Sequence, residues 1–565
     1  MSGCVSVAPP SISRVSDVRA AVPSIDRLRR LWLECALVFL AFGLLYLSLR
    51  SHELNAVDGP TRAFGVYHRN SVYFHGNNHI LYPVYTLSWT RILSALGFSS
   101  SGPIEFVSLA QAMNSMAAAG ILAMLFGLSR LLIGPLLPSI LLTVGFGTTR
   151  AFFLHATNSA EPVVGLFWSV LALFLLVISL RFEIPWVPFV SGVLLALAMA
   201  SYQSMVFMMI PCLVLATSWQ GNDLFFIRRV QLKPTIALLA GFWSSFLLIY
   251  ATLHFLQGAR NPSQMVSMLL TVEAGKVYGG LKVAKFANLP SGFLNNIVPI
   301  LPPDYTGMKS LFRLHHHDGW LVLWIGCTLA VVSLLSIITG KAIRNRELLS
   351  HRSVVVVATC LSGILIGVAL LAYWDPLYDK LWLLPFLLLY MVVTVYLANM
   401  HDSRMLASAV FVLVLSVAAY NTRQAIRASQ GGWPYVDSAQ QVASTIAQND
   451  LFVGDWDPIS VLYGTMYGSE DQVISFPARA SASGAAAALT YLDQRIAETI
   501  HRNGSVYFLG VLDEKESQWN AYLGTRCGVP YSAFNRFRDH SSVVLPLPSR
   551  SGHVTLRRLN TEPLR

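Results

Sequence analysis

Charge is scarce in this chain, and so are the short motifs that mark soluble enzymes. Of 565 residues only 12% are Asp, Glu, Lys or Arg, against 54% hydrophobic residues and a mean hydropathy of +0.54. One soluble core cannot absorb that much apolar sequence, so the composition points to a polytopic membrane protein. No H-E-x-x-H, G-x-S-x-G, paired C-x-x-C or P-loop occurs, so soluble-enzyme motifs give no help. Cysteine is sparse as well. Cys35, Cys212, Cys327 and Cys360 sit inside apolar runs and Cys4 and Cys527 are far apart, which leaves neither a disulfide framework nor metal-ligand spacing. The surplus of 40 Lys and Arg over 29 Asp and Glu at first sight suits nucleic acid. Most basic residues of the core, however, lie in short loops between apolar runs, where they act as topology signals. No nucleic-acid partner is expected.

What the chain does have is long apolar runs. Runs of roughly 20 apolar residues can cross the hydrocarbon, and about eleven are expected near 31–49, 106–127, 131–148, 163–181, 187–201, 204–218, 235–256, 319–339, 354–373, 382–399 and 405–420. Arg27, Arg29 and Arg30 precede the first, which lacks a cleavage pattern and is expected to stay as an anchor. Arg130, Arg181, Arg228, Arg229, Lys233, Lys341, Arg344, Arg346, Arg352 and Arg404 then fall in alternate loops. By the excess of Lys and Arg in cytoplasmic loops, these are cytoplasmic. Residues 51–105, 150–161, Tyr202-Gln203, 257–318 and Trp374-Asp375 lie outside, as does everything after 430. The expected architecture is a polytopic α-helical membrane protein with a small extracytoplasmic C-terminal α/β domain. Its parts are a cytoplasmic segment 1–30, a transmembrane domain 31–430 and the domain 431–565. In the last, Asp437–Asn449 and Ala485–Ile500 read as helices, while DLFVGDW, QVISF and SVYFLGVL read as strands. GDWDP at Gly454–Pro458 reads as a turn or as a ligand loop after a strand.

Candidate chemistry concentrates in the first outer loop, DGPTRAFGVYHRNSVYFHGNNHILYPVY, from Asp58 to Tyr85. Asp58 is either the start of an Asp-Gly-Pro turn or a base within reach of an attacking hydroxyl; Glu53 is a second carboxylate nearby. His79 suits a phosphate or an acceptor. Tyr82-Pro83-x-Tyr85 opens a helix with Leu81, Tyr85, Trp89 and Leu93 every four residues, either at the membrane interface or packed on the protein. A second polar cluster is Arg150, His155, Asn158 and Glu161, with Glu161-Pro162 equally readable as a helix start. Tyr202 and Gln203 interrupt an apolar stretch on the same side. The basic outer loop carries Lys276, Lys282, Lys285, Lys309, Arg313 and His315-His316-His317, suited to a lipid phosphate or to solvated contact with anionic headgroups.

Asp58 followed by His79-Ile80-Leu81-Tyr82-Pro83-Val84-Tyr85, with Ala160-Glu161-Pro162-Val163 entering a span, resembles the GT-C membrane glycosyltransferases, in particular the branch related to protein O-mannosyltransferases. Gly192 to Gln203 matches a further turn, with Gln203 where His is usual. The resemblance covers roughly residues 30–220. It implies a polyprenyl-phosphate-linked sugar as donor, an acceptor hydroxyl on a protein, glycan or lipid, membrane lipids around it, and Asp58 as catalytic base. His79, Tyr82, Arg150, Glu161, Gln203 and Lys380 are then the candidates for binding the donor phosphate or substrate. It also implies a multi-pass protein of a bacterial inner membrane, with its N-terminus cytoplasmic and its C-terminal domain periplasmic. The carrier itself brings the leaving group, so no nucleotide site and no cofactor is expected; a divalent cation is compatible with the chemistry. The competing reading is a transporter or flippase of lipid-linked sugars, although no internal repeat of the transporter type is visible.

Overall fold

The computed structural model describes residues 25–52, 79–98, 102–218, 231–256, 280–299, 351–399, 404–430 and 433–560 apart from isolated positions, together with 63, 65–67 and a few positions of 325–333. The membrane part is helical: α1 (Ile25–Ser48), α2 (Tyr82–Ala95), α3 (Pro103–Leu132), α4 (Leu136–Gly147), α5 (Arg150–Ala156), α6 (Pro162–Phe182), α7 (Val187–Ser201), α8 (Met209–Ser218), α9 (Leu232–Leu256), α10 (Val283–Ile297), α11 (His351–Tyr373), α12 (Leu383–Asn399) and α13 (Arg404–Gln430). Proline at the first or second position opens α2, α3, α6 and α7, where its missing N–H costs nothing.

Among the described residues, seven helices are long and apolar enough to cross a membrane, or eight if the bent pair α4–α5 counts as one span. The chain is a multi-pass membrane protein. Ten of the eleven expected segments coincide with helices; 319–339 falls almost wholly outside the described residues. The difference lies in length. The segment near 131–148 is not one straight span, because α4 and α5 meet at 69°. There the hydroxyls of Thr148 and Thr149 donate back to the carbonyls of Val144 and Phe146, at 2.6 and 2.8 Å, and end the helix. With 15 residues, α7 rises only ~22 Å at ~1.5 Å per residue, short of the ~30 Å hydrocarbon. It packs instead into the bundle, where Gly192 faces the Leu238 carbonyl of α9 and Gly241 of α9 faces the Phe189 carbonyl of α7. No side chain fits between these two backbones.

One end of the bundle gathers basic residues. Glu34 of α1 takes Arg30 at 3.2 Å and Arg130 of α3 at 3.0 Å, and Arg181 of α6 donates to the Leu131 carbonyl. The opposite end holds the C-terminus of α1, the starts of α3 and α6, and the second domain. Helix α2 buries Tyr82, Pro83, Thr86 and Thr90 and exposes Val84, Ile92 and Leu96. Its packed face is thus rotated from the Leu81, Tyr85, Trp89, Leu93 stripe, and its outward apolar face suits a headgroup-level helix.

After α14 (Pro434–Thr445), the chain forms a five-stranded sheet in the order β2-β1-β3-β5-β4. Strands β1 (Leu451–Gly454), β2 (Val473–Ser475) and β3 (Val506–Leu509) are parallel, with β4 (Ser541–Ser549) and β5 (Gly552–Leu559) added antiparallel. Helix α15 (Pro458–Met466) connects β1 to β2, and α16 (Phe476–Ser483) and α17 (Ala485–His501) lead back to β3. GDWDP is a helix-capping turn: Asp457 accepts from the Ile459 amide at 2.9 Å, and Asp455 from the Asp457 amide at 2.8 Å and the Ser460 hydroxyl at 3.2 Å. One face of the sheet shares its core with the membrane part. Ala63, Val66, Phe106, Val107 and Ala110 pack with Val436, Ala439, Ile459, Leu462 and Tyr463, and His52 stacks on Trp433 at 5.1 Å.

Candidate functional site

Where α6 and α12 begin, at the bundle end opposite the Glu34–Arg130 pair, a charged centre is buried in the bundle. Glu161, the residue before α6, is fully buried. Its Oε1 lies 3.0 Å from Lys380 Nζ and 3.4 Å from His79 Nε2. Lys380 belongs to the 3-10 turn Asp379–Trp382 that leads into α12, and only 3% of its side chain is exposed. A carboxylate and an ammonium at this depth are stable only as a pair, because desolvating either alone costs several kcal/mol.

His79 has φ +64°, the left-handed region that a non-glycine residue rarely enters. Three contacts hold it there. Its ring stacks on Tyr202 at 5.0 Å and 9°, its Nδ1 lies 3.3 Å from the Ser201 carbonyl, and the Leu81 amide donates to the Ala200 carbonyl at 3.1 Å. Gly165 of α6 makes room for Tyr202, since a Cβ there would meet the Tyr202 Cβ. Tyr82 is buried and donates its hydroxyl to the Ser159 carbonyl at 2.6 Å, tying α2 to the segment that presents Glu161. Asn114 of α3 holds the same segment by donating to the Asn158 and Ala160 carbonyls at 2.7 and 2.5 Å.

Next to this centre, His155 Nε2 stands 3.3 Å from Asp379 Oδ1. Arg150, at the start of α5, donates to the Asn295 carbonyl and to Asn296 Oδ1 of α10, each at 3.4 Å. Lys285 donates to the Tyr373 and Trp374 carbonyls, both at 2.6 Å, anchoring α10 to the loop that leads to Lys380. Between α10, α11 and α12 runs an apolar cavity of about 220 Å³ lined by Leu289, Phe293, Ile364, Val368, Trp382 and Phe386. Trp382 is two residues from Lys380, and Phe293 is three from Asn296.

The fold therefore brings His79, Glu161 and Lys380 into contact, with Tyr82 one carbonyl away. Arg150 opens the short helix α5 that also carries His155, which meets Asp379, the residue before Lys380. Gln203 opens the 3-10 turn Gln203–Met208 beside Tyr202 and is half-buried. Asp58 lies outside the described residues, as do Glu53, Lys276, Lys282, Lys309, Arg313 and the three consecutive histidines at 315–317. Asp379, Asn114 and Ser159 were not singled out from sequence. An Asp-Lys pair opening an apolar helix was the available signal for the first; the other two look like ordinary small polar residues in helices and turns. Among the described residues, no group of three or more His, Cys, Asp or Glu side chains is arranged to hold a metal ion.

No family model matches the chain, and no curated protein matches it. Among solved structures, the crystal structure of ArnT from Cupriavidus metallidurans bound to undecaprenyl phosphate is similar over 95% of this chain and 98% of that one, at 12% identity and a TM-score of 0.45. At that level the comparison assigns neither family nor substrate, and the functional reading rests on the residues.

Proposed function

We propose that the chain is a membrane glycosyltransferase of the GT-C type, moving a sugar from a polyprenyl-phosphate donor to an acceptor hydroxyl at the outer membrane face. The observation that carries this reading is the buried charged centre Glu161–Lys380–His79, together with an apolar cavity between α10, α11 and α12 whose lining includes Trp382, two residues from Lys380. A polyprenyl phosphate has that same division, an anionic head on an apolar tail, and a cavity lined by Leu, Ile, Val and aromatic side chains suits isoprene units.

Transfer requires an acceptor oxygen to attack the anomeric carbon while the bond to phosphate breaks. Asp58 takes the acceptor proton. Lys380 and Arg150 face the charge that gathers on the departing phosphate, where preorganised cations in a water-poor site are most effective. Glu161 holds Lys380 in place before the donor arrives. His79 and Tyr82 fix the end of the Asp58 loop against α6 and α7, and Gln203 lines the same mouth. The acceptor enters from the side covered by the C-terminal domain, which packs on the helical part of that loop through Ala63 and Val66. The test is incubation of the purified protein with a panel of polyprenyl-phosphate sugars and membrane acceptors. Release of carrier together with a glycosylated acceptor is expected; movement of intact donor between leaflets without release would make the chain a transporter.

A further inference from the structure

Helix α13 meets the bundle along a narrow stripe. Among its described residues only Val410, Val414 and Asn421 are buried, at intervals that keep them on one side of a helix. The two valines pack on Leu141 of α4. Asn421 stands where the stripe would take a third apolar residue, and a buried carboxamide in a membrane bundle is costly unless it is hydrogen-bonded. Its Nδ2 donates to the Thr148 carbonyl and to the Ile297 carbonyl, each at 2.7 Å. Only the NH2 side of an amide can face two carbonyls, so the side chain has one orientation. Its Oδ1 takes no donor among the described residues.

Both acceptors lie at helix ends, where the last carbonyls have no donor within the helix. Thr148 follows α4 at the 69° bend, and Ile297 is the last residue of α10. Arg150 begins α5 two residues beyond Thr148 and reaches the Asn295 carbonyl and Asn296 Oδ1, on the two residues before Ile297. Asn421 therefore fixes the separation of the two backbones that Arg150 spans. At 3.4 Å the Arg150 contacts are longer than the usual N–H···O distance of about 2.7–3.2 Å. These two bonds restrain the guanidinium weakly, and its distance from α10 follows the separation of the backbones.

We propose that Asn421 is a positioning residue for the donor-phosphate site, setting through Thr148 and Ile297 the place from which Arg150 meets the phosphate. The inference rests on the reading of Arg150 as a phosphate-binding cation. Asn421 itself touches neither phosphate nor sugar. Without its amide, two helix-end carbonyls are left unpaired in the bundle, and α13 no longer holds the α4–α5 bend to α10.

A double-mutant cycle on the full chain in detergent tests this, with calorimetric affinity for a short-chain polyprenyl phosphate as the readout. Asn421→Leu keeps the volume and removes both donors; Arg150→Met removes the charge. Each single variant should weaken binding roughly tenfold, and the double variant should bind no more weakly than Arg150→Met, because residues that act through one another are not additive. A merely structural role for Asn421 makes the two losses multiply. That result, or wild-type affinity in a folded Asn421→Leu protein, overturns the proposal and leaves the lipid-phosphate reading intact. Asn421→Ala, which admits water to the two carbonyls, carries the same cycle if the leucine variant does not fold. Unchanged affinity in Arg150→Met removes Arg150 from the site and the inference with it, whereas failure of wild type to bind removes the lipid-phosphate reading itself.

Discussion

Lys380 and Glu161 carry both structure and chemistry, and the two can be separated. Their side chains are 3% and 1% exposed, so Lys380→Met leaves a buried carboxylate without its main partner, a loss of about 3–5 kcal/mol. Adding Glu161→Leu should restore most of the thermal stability in detergent, since an apolar pair of similar volume avoids the desolvation of both charges. Sugar transfer should stay lost in the double variant. Recovery of transfer along with stability would reduce the pair to a structural bond. At His79 the left-handed backbone costs ~1–3 kcal/mol and is held by Tyr202 and Glu161. His79→Gly should therefore change stability little while lowering donor affinity, measured as a rise in KM for the polyprenyl donor.

At the scale of elements, the site depends on backbones that touch. A Cβ at Gly292 of α10 would run into the Pro376 carbonyl, beside the Trp382 indole that donates to the same oxygen at 2.7 Å. Gly292→Ala should push α10 off the loop 374–378 and shift Asn295 and Asn296 from Arg150. Lower donor affinity with normal expression is expected, and unchanged donor affinity would show that α10 does not position the site. These contacts also explain how far the sequence could be read. Apolar length located the membrane helices, and short strand-like stretches among helical ones after 431 marked β1, β2 and β3 together with α14 and α17. Glu161, His79 and Lys380 were legible as polar residues at the outer span ends, but their contact was not, because 219 residues separate Glu161 from Lys380. The 69° bend after α4 depends on two threonine hydroxyls turning back on the helix, which hydropathy does not register. Strand β4 escaped because SSVVLPLPS contains two prolines, tolerated there since β4 is the sheet edge.

For the whole molecule, the shared core between the C-terminal domain and residues 63–67 and 106–110 places both on one face of the bundle. The native Cys527 is a poor reporter of that face, being buried, but Ser483 of α16 and Gln231 before α9 are exposed. A membrane-impermeant thiol reagent should label Ser483→Cys from the outer side of intact cells, and Gln231→Cys only after the membrane is opened. The reverse pattern would invert the orientation. The central claim is that the chain transfers a sugar from a lipid phosphate with Asp58 as base. It is tested most directly by carrier release from a polyprenyl-phosphate sugar, wild type against Asp58→Asn, at matched expression and topology. The account predicts release by wild type and none by the variant; release at near-normal rates by Asp58→Asn would contradict it.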